Sequence, residues 1–362
     1  MSLARVVTYN VLSSSLCSPS FYTDCLPSNL HPPTRLARVK EKLQKEIERG
    51  SICCLQEVSM LWCGELHSFF DQQNYSMVHS LYGVAFNGYM GVAIAYPRNK
   101  YGLVFADISR ISDTIKWPAV QKPNAVLGAV RGALGAAVWP LNSLVKALLG
   151  FLRRLGVVGP AKPAPLKCPW DVAQSRTNTM VALSLKPKQS VGSPLGKGGP
   201  FLVGTYHMPC VYWDHRVIVI HTSLLIKRLS SLAGNMPCVL AGDFNFLPGT
   251  APYRLATEGG IKASDEAYPP HKDGIDREEV AHVPFAMRSA YADCNGGEPE
   301  MTNYAINPRS GLFVGCIDYI FVTPQVKVLG CLELMAKSDF ASSLPTEGEP
   351  SDHVMIGADL RL

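Results

Sequence analysis

Residues 34–57, TRLARVKEKLQKEIERGSICCLQE, carry two hydrophobic periodicities in succession. Leu36, Val39, Leu43 and Ile47 recur at helical spacing, Thr34 can cap the first turn, and Gly50 can end the last. The unbroken run Ile52-Cys53-Cys54-Leu55 then reads as a buried strand that delivers Glu57 to its C-terminal end. Upstream, Val6, Thr8 and Asn10 alternate as a strand, followed by a Cys/Pro/Ser-rich loop reaching Pro33. A strand-helix-strand opening of this kind is α/β.

Further along, Leu202 to Thr205 reads as a strand ending at His207, and Val217 to Leu232 as a helix closed by Gly234. Cys238 to Ala241 is a short apolar strand that delivers Asp243 and Asn245, with Pro248-Gly249 as the turn. Ile317, Tyr319 and Phe321 alternate with Asp318 and Ile320, and Ile356 to Leu362 alternates as a half-buried strand. Residues 186–200 and 262–286 read as loops. The polar residues singled out below stand at strand ends, where ligand sites in layered α/β folds concentrate.

At 362 residues and 47% hydrophobic content the chain can bury a large core. Groups that must converge occur at residue 10 and again at residue 353, so a single domain over 1–362 is expected. The first residues lead directly into the Val6 strand, with no signal peptide before it. Eleven cysteines, with neither CxxC nor a Cys/His cluster at zinc spacing, read as reduced thiols of an intracellular, cytoplasmic protein.

The net charge of +5 is unevenly placed. Between Asp113 and Asp171 there are no acids and eight Lys/Arg, which leaves 26 basic against 29 acidic residues elsewhere. The remainder is therefore not a broadly basic nucleic-acid clamp. The segment 118–169 reads as an inserted, basic, apolar and helical stretch, interrupted by Pro140, Lys146 and Arg153-Arg154 before it reaches a membrane-spanning length. A hairpin packed on the body, an interfacial helix pair making peripheral membrane contact, and a docking site for a partner all fit it.

Seven short stretches supply the polar chemistry: Tyr9-Asn10, Gln56-Glu57, TYH at 205–207, GDFN at 242–245, TNY at 302–304, IDYIF around Asp318, and SDH at 351–353. Mg²⁺ takes oxygen ligands and one or two carboxylates, which Glu57, Asp352 and the Asn10 amide oxygen fit, with Mn²⁺ as a substitute. Asp243 beside Asn245 can orient or deprotonate a water. His207 and His353 can contact a phosphate, with Asp318 fixing a histidine tautomer. Each also has a plain structural reading: Glu57 as a helix-start carboxylate, GDFN as an Asx turn, Asp318 as an edge-strand charge.

In this order, YN, LQE, YH, GDFN, DYIF and SDH resemble the endonuclease/exonuclease/phosphatase superfamily, nearest its deadenylase and nocturnin branch. The resemblance implies a four-layer α/β sandwich, with two mixed sheets face to face and helices outside. It implies a Mg²⁺-dependent phosphoesterase site in which Asn10, Glu57 and Asp352 lie near the metal and Asp243 and Asn245 act at the nucleophile and phosphate. His207 and His353 then hold phosphate oxygens, and Asp318 orients His353. Phe313 matches a base-stacking aromatic and Asn178 a substrate-edge asparagine, while His215 stands where the branch's adenine-packing proline would fall. The implied activity is phosphodiester hydrolysis of RNA or a nucleotide, as a deadenylase-like 3′-exonuclease. Rival readings are a lipid-headgroup or inositol-phosphate esterase at a membrane surface and an inactive scaffold.

Overall fold

The computed structural model describes residues 2–118, 168–188, 198–307 and 311–362. The chain divides into two compact units. One comprises Met1–Lys116, Pro169–Lys272 and Asp276–Leu362; the other comprises Trp117–Cys168 and Asp273–Ile275. Nearly all of the second unit, and with it the expected helices and membrane contact of 118–169, lies outside the described residues, as does 189–197. Among the described residues no helix is long and apolar enough to cross a membrane.

The strands of the first unit are β1 (Leu3–Asn10), β2 (Ile52–Val58), β3 (Tyr75–Leu81), β4 (Gly91–Pro97), β5 (Tyr101–Arg110), β6 (Thr179–Pro187) and β7 (Phe201–His207). They continue with β8 (Cys238–Asp243), β9 (Arg288–Ser289), β10 (Asn303–Asn307), β11 (Gly311–Gly315), β12 (Asp318–Val322), β13 (Lys327–Cys331) and β14 (Ile356–Arg361). They form two six-stranded mixed sheets, ordered β13-β14-β1-β2-β4-β3 and β5-β6-β7-β8-β12-β9, and a two-stranded ribbon β10-β11. The N- and C-terminal strands are neighbours, with Val6 opposite Ala358.

Strand periodicity explains the layering, because alternate residues point to opposite faces. On the inner faces Val6, Ile52, Cys54 and Ile94 meet Val181, Val203, Val239, Ala241 and Ile320 in one core between the sheets. On the outer face of the first sheet, Val7, Tyr9, Cys53 and Leu55 pack against Val39, Leu43 and Ile47 of the helix Pro32–Arg49 and Leu66 and Phe70 of the helix Met60–Gln72. Each such apolar side chain contributes about 1.5–3 kcal/mol on burial. The helix His215–Ala233 covers the outer face of the second sheet, where Tyr206 Oη meets His221 Nδ1 at 2.9 Å. The result is a helix-sheet-sheet-helix sandwich.

The helix Pro32–Arg49 starts before Thr34, with His31 as its N-cap. Pro32 and Pro33 fit its first positions, where no intrahelical N–H bond is lost. Thr34 Oγ1 instead lies 3.0 Å from His31 Nδ1. Gly50 ends the helix in the left-handed region at φ 71°, as its position suggests.

Candidate active site

The inner faces change character along each strand. Towards one end Val6 gives way to Thr8 and Asn10, Cys54 to Gln56, Val203 to Thr205 and His207, Ala241 to Asp243, and Ile320 to Asp318. Gln56 seals the boundary: its Nε2 donates to Thr8 Oγ1 and Thr205 Oγ1, both at 2.9 Å. Beyond it lies a polar cluster.

Register assembles the centre of that cluster. His207 on β7 and Asp318 on β12 both stand opposite Asp243 on β8. Gly242 permits the pairing, because a Cβ there would collide with the Tyr206 carbonyl oxygen. His207 Nε2 lies 3.4 Å and His353 Nε2 3.7 Å from Asp243 Oδ2, and His353 Nδ1 lies 2.7 Å from Asp318 Oδ2. One ligand atom each of Asp243, Asp318 and His353 falls within 4.8 Å of the others, and all three residues are buried. Asp318 is buried, so it is not an exposed edge-strand charge. Asn245 N donates to Asp243 Oδ1 at 3.0 Å. The GDFN segment is therefore an Asx turn and part of the site at once.

Glu57 reaches the pocket through a backbone irregularity. Between Leu55 and Val58 β2 shifts register against β4, and Glu57 adopts φ 58°, a strained conformation for a non-glycine residue. Its carboxylate accepts from Ser13 N at 3.0 Å and from Asn10 Nδ2 at 3.3 Å. Asn10 Nδ2 also donates to Asp243 Oδ2 at 3.0 Å, while Asn10 Oδ1 accepts from Leu12 N at 3.0 Å. Asn10 thus bridges two carboxylates through its amide nitrogen, and the oxygen expected to face a cation is turned to the backbone. Asp352 enters from the other end of the chain, its Oδ2 accepting from Tyr22 Oη at 2.8 Å.

Electrostatics separates the roles. Burial pushes the Asp243 carboxyl above the usual carboxylate range, with His207 and His353 opposing that rise. Burial disfavours the charged form of His353, but Asp318, Asp352 and Asp243 outweigh it and hold the imidazole well above its ordinary value. Among the described residues, Asp243 and Asp318 have ion pairs only with histidines, and no ion pair involves Glu57 or Asp352. The buried Asp318 Oδ1 has no hydrogen-bond partner. Clustered oxygen donors with so little fixed positive charge suit a hard divalent cation.

Two sequence-selected residues sit differently from the rest. Asn178 Nδ2 donates to the His207 carbonyl at 2.7 Å and so holds that strand end. Phe313 lies on β11 opposite Ala305, half-buried, on the ribbon whose root pairs Asn303 with His353. His215 lines an open cavity of about 410 Å³ with the exposed Tyr212 and Trp213.

Three further residues support the site. Thr302 Oγ1 donates to Asp318 Oδ2 at 2.7 Å and accepts from the Ile317 and Asp318 amides, both at 3.0 Å. Ser351 Oγ donates to the Asn10 carbonyl at 2.7 Å. The Arg35 guanidinium, wholly buried, donates to the carbonyls of Pro350 and Val11, both at 2.6 Å, and of Leu12 at 2.8 Å. It ties the segment after Asn10 to the segment before Asp352. Thr302 and Ser351 are flagged by the TNY and SDH triplets they occupy. Arg35 is hidden among the charges of its helix.

Comparison with known proteins agrees with this architecture. A family model described as the Endonuclease/Exonuclease/phosphatase family matches residues 7–353. Mouse (Mus musculus) 2′,5′-phosphodiesterase 12 is 25% identical over 380 residues, which cover 99% of this chain and 52% of that protein. Nocturnin of Drosophila melanogaster is 31% identical over 140 residues, 38% of this chain and 21% of that one. The chain thus spans about half, or less, of the length of these curated relatives. The crystal structure of ANGEL2, a 2′,3′-cyclic phosphatase, in complex with adenosine-2′,3′-vanadate superposes with a TM-score of 0.70 at 20% identity. That match covers 99% of this chain and 96% of the crystallised chain, and is a likeness of fold.

Proposed function

The chain belongs to the Endonuclease/Exonuclease/phosphatase family, and on that premise we propose that it is a divalent-metal-dependent phosphoric ester hydrolase acting on RNA or nucleotide phosphodiester bonds. In its finer form the proposal is a deadenylase-like 3′-exonuclease using Mg²⁺. The observation that carries it is the in-register row His207, Asp243, Asp318 with His353 closing over it.

A phosphodiester resists attack because its charge repels the nucleophile and its leaving alkoxide is poor. Glu57 and Asp352 would hold the Mg²⁺, which when bound would neutralise charge and stabilise the departing oxygen. The chain's own groups do the rest. Asp243, raised by burial, accepts the proton of a water held by the Asp243–Asn245 turn. His353, kept protonated by Asp318, presents Nε2–H to a phosphate oxygen, and His207 flanks the same position. The names of the relatives support a nucleotide substrate, and exposed Tyr212 and Trp213 offer faces for a base.

The test is a parallel assay of 5′-labelled RNA with 3′-hydroxyl or 2′,3′-cyclic phosphate ends, phosphoinositides and sphingomyelin, with Mg²⁺ and with EDTA. Stepwise shortening of RNA from its 3′ end, abolished by EDTA and by Glu57→Ala, is expected. Hydrolysis of lipid substrates alone would replace the nuclease reading. No hydrolysis of any of them would leave a scaffold.

A further inference from the structure

Sequence spacing offers no zinc motif, yet the fold assembles a set of soft and borderline ligands away from the acidic site. Cys63 and His67 are four residues apart on the helix Met60–Gln72, so both project from one face. That face packs on β3, where Tyr75, Met77 and His79 alternate towards the helix, Tyr75 and Met77 within the shared core and His79 at its margin. One ligand atom from each of Cys63, His67 and His79 lies within 4.8 Å of the other two. His67 Nε2 and His79 Nδ1 are 3.0 Å apart, with the rings edge to face at 78°. Two nitrogens on a tetrahedral zinc at ordinary bond lengths stand about 3.3 Å apart. The two histidine nitrogens already stand close to the spacing a metal would need.

We propose that Cys63, His67 and His79 form a second metal site, selective for Zn²⁺, that fastens the helix Met60–Gln72 to the edge strand β3. One thiolate and two imidazoles favour zinc over magnesium, which prefers oxygen. Cys63 is buried and free, and both histidines are half-buried, so the metal has a route in and a fourth position for water. Binding releases the Cys63 thiol proton to solvent. The site is distinct from the acidic pocket: β3 lies two strands from β2, which carries Glu57, and the two ligand sets share no residue. Its mechanical consequence reaches the pocket all the same. Ser59, two residues after the strained Glu57, caps this helix, accepting from Trp62 N, and meets Ser14 at 2.9 Å.

The test uses Co²⁺ as a spectroscopic stand-in on the full chain after chelation and dialysis. A thiolate-to-cobalt charge-transfer band saturating at one equivalent is expected, lost in Cys63→Ser and kept in Glu57→Ala. Zn²⁺ should raise the melting midpoint of the wild type and of Glu57→Ala but not of Cys63→Ser. His79→Gln, at a half-exposed position, should also lose the band, and it decides the matter if Cys63→Ser fails to fold. Absence of the band in the wild type, or its survival in either ligand variant, would overturn the proposal.

Discussion

Replacing Asp318 by Asn removes one charge and little volume, and its effect can be worked from the geometry. His353 Nδ1 stands 2.7 Å from Asp318 Oδ2, both side chains being buried. At about 4 Å between charge centres and an effective dielectric of about 20, such a pair is worth about 4 kcal/mol. The amide retains a neutral hydrogen bond of roughly 1 kcal/mol, so about 3 kcal/mol of imidazolium stabilisation is lost, or ~100-fold in rate. Asn fits without a rotamer change: its oxygen can keep the Thr302 and His353 bonds, and its NH₂ takes the place of the unpartnered Oδ1. The loss is therefore of charge and not of tautomer. The sign of the pH effect follows. His353 is raised, so its imidazolium persists above the ordinary histidine range, and without Asp318 the alkaline limb of the rate profile moves to lower pH. The assay is single-turnover cleavage of 5′-labelled oligoadenylate at saturating Mg²⁺, with circular dichroism as the folding control. A folded variant slowed less than about threefold, with its alkaline limb unmoved, would refute the reasoning.

Other perturbations separate stability from catalysis. Arg35→Met leaves three buried carbonyls without their donor and should cost about 3–5 kcal/mol in urea unfolding. Tyr22→Phe removes the 2.8 Å bond to Asp352. It should raise the Mg²⁺ concentration for half-maximal activity by about five- to tenfold, worth about 1–1.5 kcal/mol, with a smaller change in kcat. Burial lowers His221 to about 4, so its stabilisation is present above the unfolded value and is lost as pH falls. Between pH 7 and pH 5 that group should cost about 2 kcal/mol, and His221→Asn should lose correspondingly less in urea titrations at the two pH values.

Much of the sandwich is legible along the chain because its cause is local. The helix ending at Gly50, the strands ending at Asn10, His207 and Asp243, and the strand that carries Glu57 near its end follow from apolar period and turn chemistry. The start of the helix Pro32–Arg49 was less legible, since Thr34 and the preceding prolines all carry start signals. The polar residues were visible as types, each at the end of an apolar run. Their partners were not.

What the sequence by itself determined is which faces are apolar, where strands end in carboxylates, amides and imidazoles, and the order in which these motifs occur. Only the tertiary structure decided that Asp243 lies between His207 and Asp318, that Asn10 turns its nitrogen to two carboxylates, and that Arg35 links Val11 to Pro350. It also decided that His79 meets a Cys63–His67 pair on another element. The physical reason is that period and propensity act over a few residues. Register, bulges and burial set the contacts between residues dozens to hundreds of positions apart, and the chemistry of the site depends on those contacts.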